Sequence, residues 1–183
     1  PDERTALRES VAKLAGSYGH AYVAEKTSKG EKLTELWQDM GKHGFLGVNI
    51  PEEYGGGGGG LGDLSAVLEE AAAAGAPLLM MVVSPAIVGT IITRCGTDEQ
   101  KQRWLPGIAD GSIVAAFAIT EPDAGSNSHL ITTTATKDGD EWVLKGQKVF
   151  ISGIDEADVV LIVSRTADAK TGKLKPALFL VPT

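Results

Sequence analysis

The sequence predicts an α+β chain: an N-terminal α-helical domain over 1–111, then a β-barrel or sandwich domain over 112–183. Three observations carry this reading. Up to Gly111 apolar residues recur three and four positions apart, and beyond it they fall into short, β-branched, roughly alternating runs. Helices come first and strands afterwards, without the βαβ alternation of a Rossmann fold. The fingerprint G-x-G-x-x-G after a first strand is also absent, apart from a polyglycine run.

Leu7, Val11 and Leu14 mark a first amphipathic helix, Leu33, Leu36, Trp37 and Met40 a second, and Leu64, Val67, Leu68 and Ala71 a third. Six consecutive glycines, residues 55–60, separate the second from the third. Ordering glycine costs much backbone entropy, which predicts a mobile loop. No Lys-Ser or Lys-Thr follows the run and no strand clearly precedes it, so it reads as a linker rather than a phosphate-binding P-loop. Pro77 opens an apolar run over 78–92 that Gly96 closes. Being apolar almost all round, it predicts a central helix, which can simply pack or can line an internal apolar pocket. Thr97, with Gln100 three residues on, forms a capping box that starts a last helix reaching to about Leu105.

Five strands are predicted, over 113–120, 130–137, 141–150, 159–165 and 177–181. Lys137-Asp138-Gly139-Asp140 is a hairpin signal joining the second and third, since Asp-Gly supplies the positive φ such turns want. The chain stops at Leu180-Val181-Pro182-Thr183 with no closing element, and an uncovered sheet edge is an aggregation hazard. Further protein is therefore expected to follow, and an opening on Pro1 is that of a processed, trimmed or partial chain.

At 183 residues, 43% hydrophobic and 22% charged, the chain has the composition of an ordinary globular protein able to bury a core. Its net charge is −7 and its 17 basic residues are scattered, which argues against nucleic acid as a partner and reads as solubility. Cys95, the single cysteine, lies in an apolar helical run. It excludes an internal disulfide, suits a reducing cytoplasm, and is expected to be a small buried hydrophobe. No run reaches the roughly 18 apolar residues of a membrane span, and Pro1-Asp2-Glu3-Arg4 is unlike a signal peptide, so the expectation is a cytoplasmic protein without a membrane partner. His20, His43 and His129 show no metal-ligand spacing with one another or with Cys95, and no metal is expected.

Two stretches stand apart. Phe117-Ala118-Ile119-Thr120-Glu121-Pro122-Asp123-Ala124-Gly125-Ser126-Asn127 runs a short apolar strand into a Pro-kinked turn of small hydroxyl and amide residues. That composition lets backbone N–H groups around Gly125 and Ser126, with the Ser126 hydroxyl, converge on a phosphate while Thr120 bonds a ring. The same letters also make a good surface turn with no ligand at all. Lys148-Val149-Phe150-Ile151-Ser152-Gly153 ends another β-like run with an aromatic and a hydroxyl, which can wall a planar cofactor or simply finish a strand. If the two stretches converge in space, they describe a site for a flat, phosphorylated ligand.

In order, spacing and wording these segments resemble the flavin-binding signatures of the acyl-CoA dehydrogenase family. Gly44-Phe45-Leu46-Gly47-Val48 with Ile50-Pro51-Glu52-Glu53-Tyr54-Gly55-Gly56 is similar to the family's helical-domain signature, 96–106 to its last helix, and Gly146-Gln147-Lys148 to its middle β-domain. The resemblance implies FAD as cofactor, with Phe117, Ile119 and Thr120 facing the isoalloxazine and Gly125 and Ser126 near the pyrophosphate. It further implies Phe150, Ile151 and Ser152 flanking the flavin, with Ser126 also within reach of the CoA substrate. Met80, Met81, Ser84 and Val88 on the central helix become candidates for the acyl tail. The implied reaction is α,β-dehydrogenation of an acyl-CoA thioester in fatty acid β-oxidation, with electron-transfer flavoprotein as electron acceptor and a dimeric or homotetrameric assembly. Its base is a glutamate of the family's C-terminal helical bundle, which this chain does not contain, so no catalytic residue is assigned here and Glu121 is read as structural.

Two departures bear on the pocket. Phe150-Ile151-Ser152 stands where the family usually has Trp-Ile-Thr, and Asn127 replaces a common acidic residue. Rival readings are an acyl-CoA oxidase, a flavin-dependent monooxygenase on the same scaffold, and a noncatalytic flavin-binding subunit.

Overall fold

A computed structural model describes residues 2–183; Pro1, on which the reading of the chain's start partly rests, lies outside them. The chain divides into two compact units, up to Val114 and from Ala115 to Thr183.

The first unit is helical. Helix α1 (Asp2–Ser28) is broken at Gly19, whose φ of 66° and ψ of −178° are not helical. Helix α2 (Thr34–Lys42), a 3-10 turn (Glu52–Tyr54) and helix α3 (Leu61–Ala73) follow. The stripes legible in the sequence are the ones that pack: Val11 of α1, Leu36 and Met40 of α2, and Leu64, Val67 and Ala71 of α3 are buried together with Phe45 and Leu46.

The apolar run departs from expectation twice. Pro77 is exposed and lies ahead of the helix, because Leu78 is extended (φ −120°, ψ 94°). From there α4 (Leu79–Met81) widens into a π-helix (Val82–Gly89) and returns to α-helix as α5 (Thr90–Cys95). Pro85 sits inside the wide segment. A proline there has no N–H to give and would press on the carbonyl four residues back, so a wider turn relieves the clash. Asn49 buttresses the segment, its Nδ2 donating to the Pro85 carbonyl (2.8 Å) and to Thr90 Oγ1 (3.2 Å). The helix is one-sided rather than buried all round: Met81, Ser84, Pro85, Val88 and Ile92 are buried while Leu79 is 64% exposed. Cys95 ends α5 at the surface, so it is exposed and not the buried hydrophobe expected.

The glycine run is also not a free loop. Gly57 donates to the Gly47 carbonyl, Gly58 to Ile50, Gly59 to Val48 and Gly60 to the Asp63 carboxylate, all at 2.8–2.9 Å. A Cβ on Gly56 would lie 2.1 Å from the Ile50 carbonyl oxygen, so only glycine allows this contact. The capping box forms as read, Gln100 N–H donating to Thr97 Oγ1 (3.2 Å) and Thr97 N–H to Gln100 Oε1 (3.0 Å). Helix α6 (Asp98–Asp110) runs five residues beyond Leu105. No helix is long and apolar enough to cross a membrane among the described residues.

The second unit is one mixed sheet of β1 (Ala115–Ala118), β2 (Thr134–Asp138), β3 (Glu141–Lys145), β4 (Val159–Ala167) and β5 (Leu174–Pro182). Strand β5 pairs antiparallel with β4 along its whole length. Strands β1 and β2 therefore share the other edge of β4, both parallel to it, β1 at its start and β2 near Arg165. The hairpin forms with a two-residue loop, Asp138 pairing with Glu141 and Gly139 at φ 60°. Asp138 thus belongs to the strand, and the positive φ comes from glycine in the first loop position, as a II′ turn requires. In a flat sheet β3 and β5 would lie about 14 Å apart, three strand spacings. The rings of Trp142 on β3 and Phe179 on β5 nevertheless meet edge to face at 5.3 Å, so the sheet coils strongly. It is a single curled sheet rather than two stacked ones.

Candidate functional site

The site is assembled in the sheet unit where β1 ends. Glu121 and Ala124 exchange backbone hydrogen bonds (3.0 and 3.1 Å) around Pro122 and Asp123, a tight turn for which proline pre-sets the first corner. The chain then runs exposed through Gly125, Ser126 and Asn127 into a 3-10 turn (Ser128–Leu130) and returns at Ile131 to the start of β2.

Glu121 closes the base of this loop. Its carboxylate is 4% exposed and accepts from Thr132 N–H (2.6 Å), Thr132 Oγ1 (2.8 Å), Thr133 N–H (2.9 Å) and Lys148 Nζ (2.8 Å). Burial by itself would push the Glu121 carboxyl up, but the hydrogen bonds from Lys148, Thr133 and Thr132 outweigh it and hold the group well below the usual carboxylate range. A carboxylate so stabilised is a poor proton acceptor, in keeping with a structural role.

Lys148 also ties the two signature stretches together. Its ammonium donates to the Ile119 carbonyl (2.9 Å), and the next residue, Val149, donates its N–H to the Thr120 carbonyl (3.0 Å). Residues 119–121 and 148–149 are thus neighbours. Turning Lys148 inward also explains why β3 stops at Lys145 instead of reaching Phe150. The backbone then enters the left-handed region at Phe150 (φ 57°), where no other non-glycine among the described residues goes, and its ring stands 92% exposed.

The remaining candidates divide by face. Thr120 is half-buried; Ser126 and Ser152 are exposed, and nothing lies within 4 Å of a Cβ built on Gly125. The amides of Gly125 and Ser126 have no hydrogen-bond partner among the described residues. Phe117 and Ile119 pack with Ala124, Ile131 and Val163, whereas Ile151 packs with Ala116, Ala118, Ala157 and Val160. Successive residues of β1 point to opposite faces, so the structure joins the stretches through their backbones but does not put Phe117 and Ile119 on one face with Ile151. Ser84 and Val88 belong to the π-segment of the helical unit and are fully buried, as is Met81, while Met80 is half-buried. No cluster of three potential metal ligands exists among the described residues.

The sequence carries no local mark of the clamp. A glutamate and a lysine 27 positions apart leave no periodic trace, and only their partners in space give them a role.

Residues 1–112 match the acyl-CoA dehydrogenase N-terminal domain and residues 116–183 the acyl-CoA dehydrogenase middle domain. The chain belongs to the acyl-CoA dehydrogenase family. Among its relatives, acyl-CoA dehydrogenase FadE12 of Mycobacterium tuberculosis is 67% identical over 182 residues, covering 100% of this chain and 47% of that protein. The long-chain specific mitochondrial acyl-CoA dehydrogenase of Sus scrofa is 38% identical over 98% of this chain and 42% of its own length. The solved structure of a glutaryl-coenzyme A dehydrogenase in complex with glutaryl-CoA superposes with a TM-score of 0.92 at 28% identity, over 100% of this chain and 47% of that one. This acyl-CoA dehydrogenase chain therefore spans about half the length of the relatives it matches.

Proposed function

We propose that this chain forms the flavin-holding part of an FAD-dependent acyl-CoA dehydrogenase acting on an acyl-CoA thioester. The observation that carries this is the junction of 119–121 with 148–150, which leaves an exposed ring at Phe150 and unbonded amides at Gly125 and Ser126 in the same unit. A planar, phosphorylated cofactor needs both features, a ring to lie against and donors for its phosphates. Phe150 and Ser152 would flank the flavin ring together with Thr120, with Phe117, Ile119 and Ile151 contributing through their backbones because the side chains of Phe117 and Ile119 pack on the face opposite Ile151, and Gly125 and Ser126 would hold the pyrophosphate. When bound, FAD supplies a hydride acceptor for the β-hydrogen of the thioester.

This chain's own contribution is binding and orientation. Glu121 and Lys148 hold the base of the loop against the segment that leads to Phe150. Ser126 would also meet the CoA moiety, whereas Ser84 and Val88 are fully buried and offer no surface to an acyl tail. In this reading electron-transfer flavoprotein takes the electrons, the protein assembles with copies of itself, and it works in fatty acid oxidation in the cytoplasm.

The test uses the full-length gene product. It should purify yellow with flavin absorbance near that of bound FAD, and one of a panel of acyl-CoAs should bleach it anaerobically. Rapid reoxidation of the bleached protein by oxygen would favour an oxidase or monooxygenase, and bleaching by no thioester would overturn the dehydrogenase reading.

A further inference from the structure

Resting on that reading, we propose that Arg165 is a positioning residue for pyrophosphate binding, fixing the loop between Ala124 and Ile131 through the carbonyl of His129. Arg165 lies on β4, where its backbone N–H donates to the Thr133 carbonyl (2.9 Å) and its register partner is Thr134. Val163, two residues earlier, points to the same face and packs beneath Ala124 and Ile131. The loop thus lies across this face of β4, with an apolar underside seated on Val163 and Arg165 one step further along.

From there Arg165 Nη2 donates to the His129 carbonyl, within the 3-10 turn (Ser128–Leu130) that follows Ser126 and Asn127. Glu121 holds the loop where it rejoins the sheet, at Thr132 and Thr133, and Arg165 holds it at the far turn. Between Glu121 and His129 along the chain lie the Gly125 and Ser126 amides, which bond nothing among the described residues.

Two features of the guanidinium exceed what a loop brace needs. Its Nε is buried without a hydrogen-bond partner, and no carboxylate pairs with its charge among the described residues, although the chain carries a net −7. Buried donors and half-buried cations are ordinarily satisfied. A cation kept unpaired behind a loop of free amides is complementary to an anion on the loop's outer side, and a planar fork fixes a carbonyl with a rigidity that lysine lacks. The ligand chemistry is a pyrophosphate, which FAD and CoA both carry.

The experiment compares wild type, Arg165→Lys and Arg165→Met in the full-length holoprotein. FAD affinity is read by fluorescence on reconstituting the apoprotein. The KM and kcat are measured for a bleaching acyl-CoA and for the N-acetylcysteamine thioester of the same acid, which has no phosphate. Arg165→Met should raise the FAD Kd or the acyl-CoA KM about tenfold, with kcat and the KM of the truncated thioester nearly unchanged and with partial recovery in Arg165→Lys. A rise confined to FAD assigns the pyrophosphate to the cofactor, and one confined to acyl-CoA assigns it to the substrate. If Arg165→Met does not fold, Arg165→Lys decides on the same two constants. Wild-type values for both, or an equal loss on both thioesters without a change in FAD affinity, would overturn the assignment. Wild-type protein that takes up no flavin would instead overturn the functional reading, and this ligand with it.

Discussion

Glu121 and Lys148 form an ion pair of which 4% and 10% of the side chains remain exposed. Removing one charge from such a pair strands the other in a medium that cannot solvate it. Glu121→Gln should therefore destabilise the protein by about 3 kcal/mol in chemical denaturation. The pH dependence has a definite sign. The folded protein holds the Glu121 proton far more weakly than an unfolded chain does, so its contribution is complete above the ordinary glutamate range and is lost as pH falls below roughly 4. The Glu121→Gln protein should show a flatter stability profile over that acid range. Phe150 gives the opposite kind of forecast. Its left-handed backbone is strained and its ring is 92% exposed, so Phe150→Asn loses little burial and should raise stability by about 1 kcal/mol. The same variant should weaken flavin retention, measured as absorbance per mole of protein. A stability gain without flavin loss would mean that the ring does not meet the cofactor.

At the scale of elements, the glycine run and the π-segment show how neighbours override local preference. Six glycines read as slack, yet four of their amides are fastened to 47–50 and to Asp63, and Ile50 leaves no room for a Cβ at Gly56. Gly56→Ala has no room for its methyl and should cost about 2 kcal/mol or more, with thermal unfolding as the readout. The π-segment depends on a residue 36 positions away, since Asn49 supplies donors to the Pro85 carbonyl and to Thr90. Asn49→Ala removes both and should cost about 1 to 2 kcal/mol in urea titration. An unchanged midpoint would show that the wide turns are held by packing alone.

For the whole molecule, the curled sheet leaves β3 and β5 each with one unpaired edge among the described residues, flanked by Trp142, Val143, Leu174 and Leu178, all exposed. Open edges with apolar neighbours invite association. Residues 1–183 expressed alone should therefore associate as concentration rises and hold FAD weakly or not at all, while the full-length product is yellow. Light scattering and the visible spectrum of the two proteins check this, and a stoichiometrically yellow, monomeric 183-residue chain would contradict it.

The helical stripes, the Thr97 cap, the β2–β3 hairpin, the order of helices before strands and membership of the family are legible in the amino-acid sequence, because each is written in neighbouring residues through a period of 3.6 or 2 or a fixed string of letters. The folded arrangement alone turns Lys148 inward to Glu121, throws Phe150 out in a left-handed turn, brings Arg165 to His129, exposes Cys95, and packs Phe117 and Ile151 against opposite faces of β1. Those outcomes join residues tens of positions apart. They depend on which buried polar group finds its partner across the fold, and no local pattern encodes that.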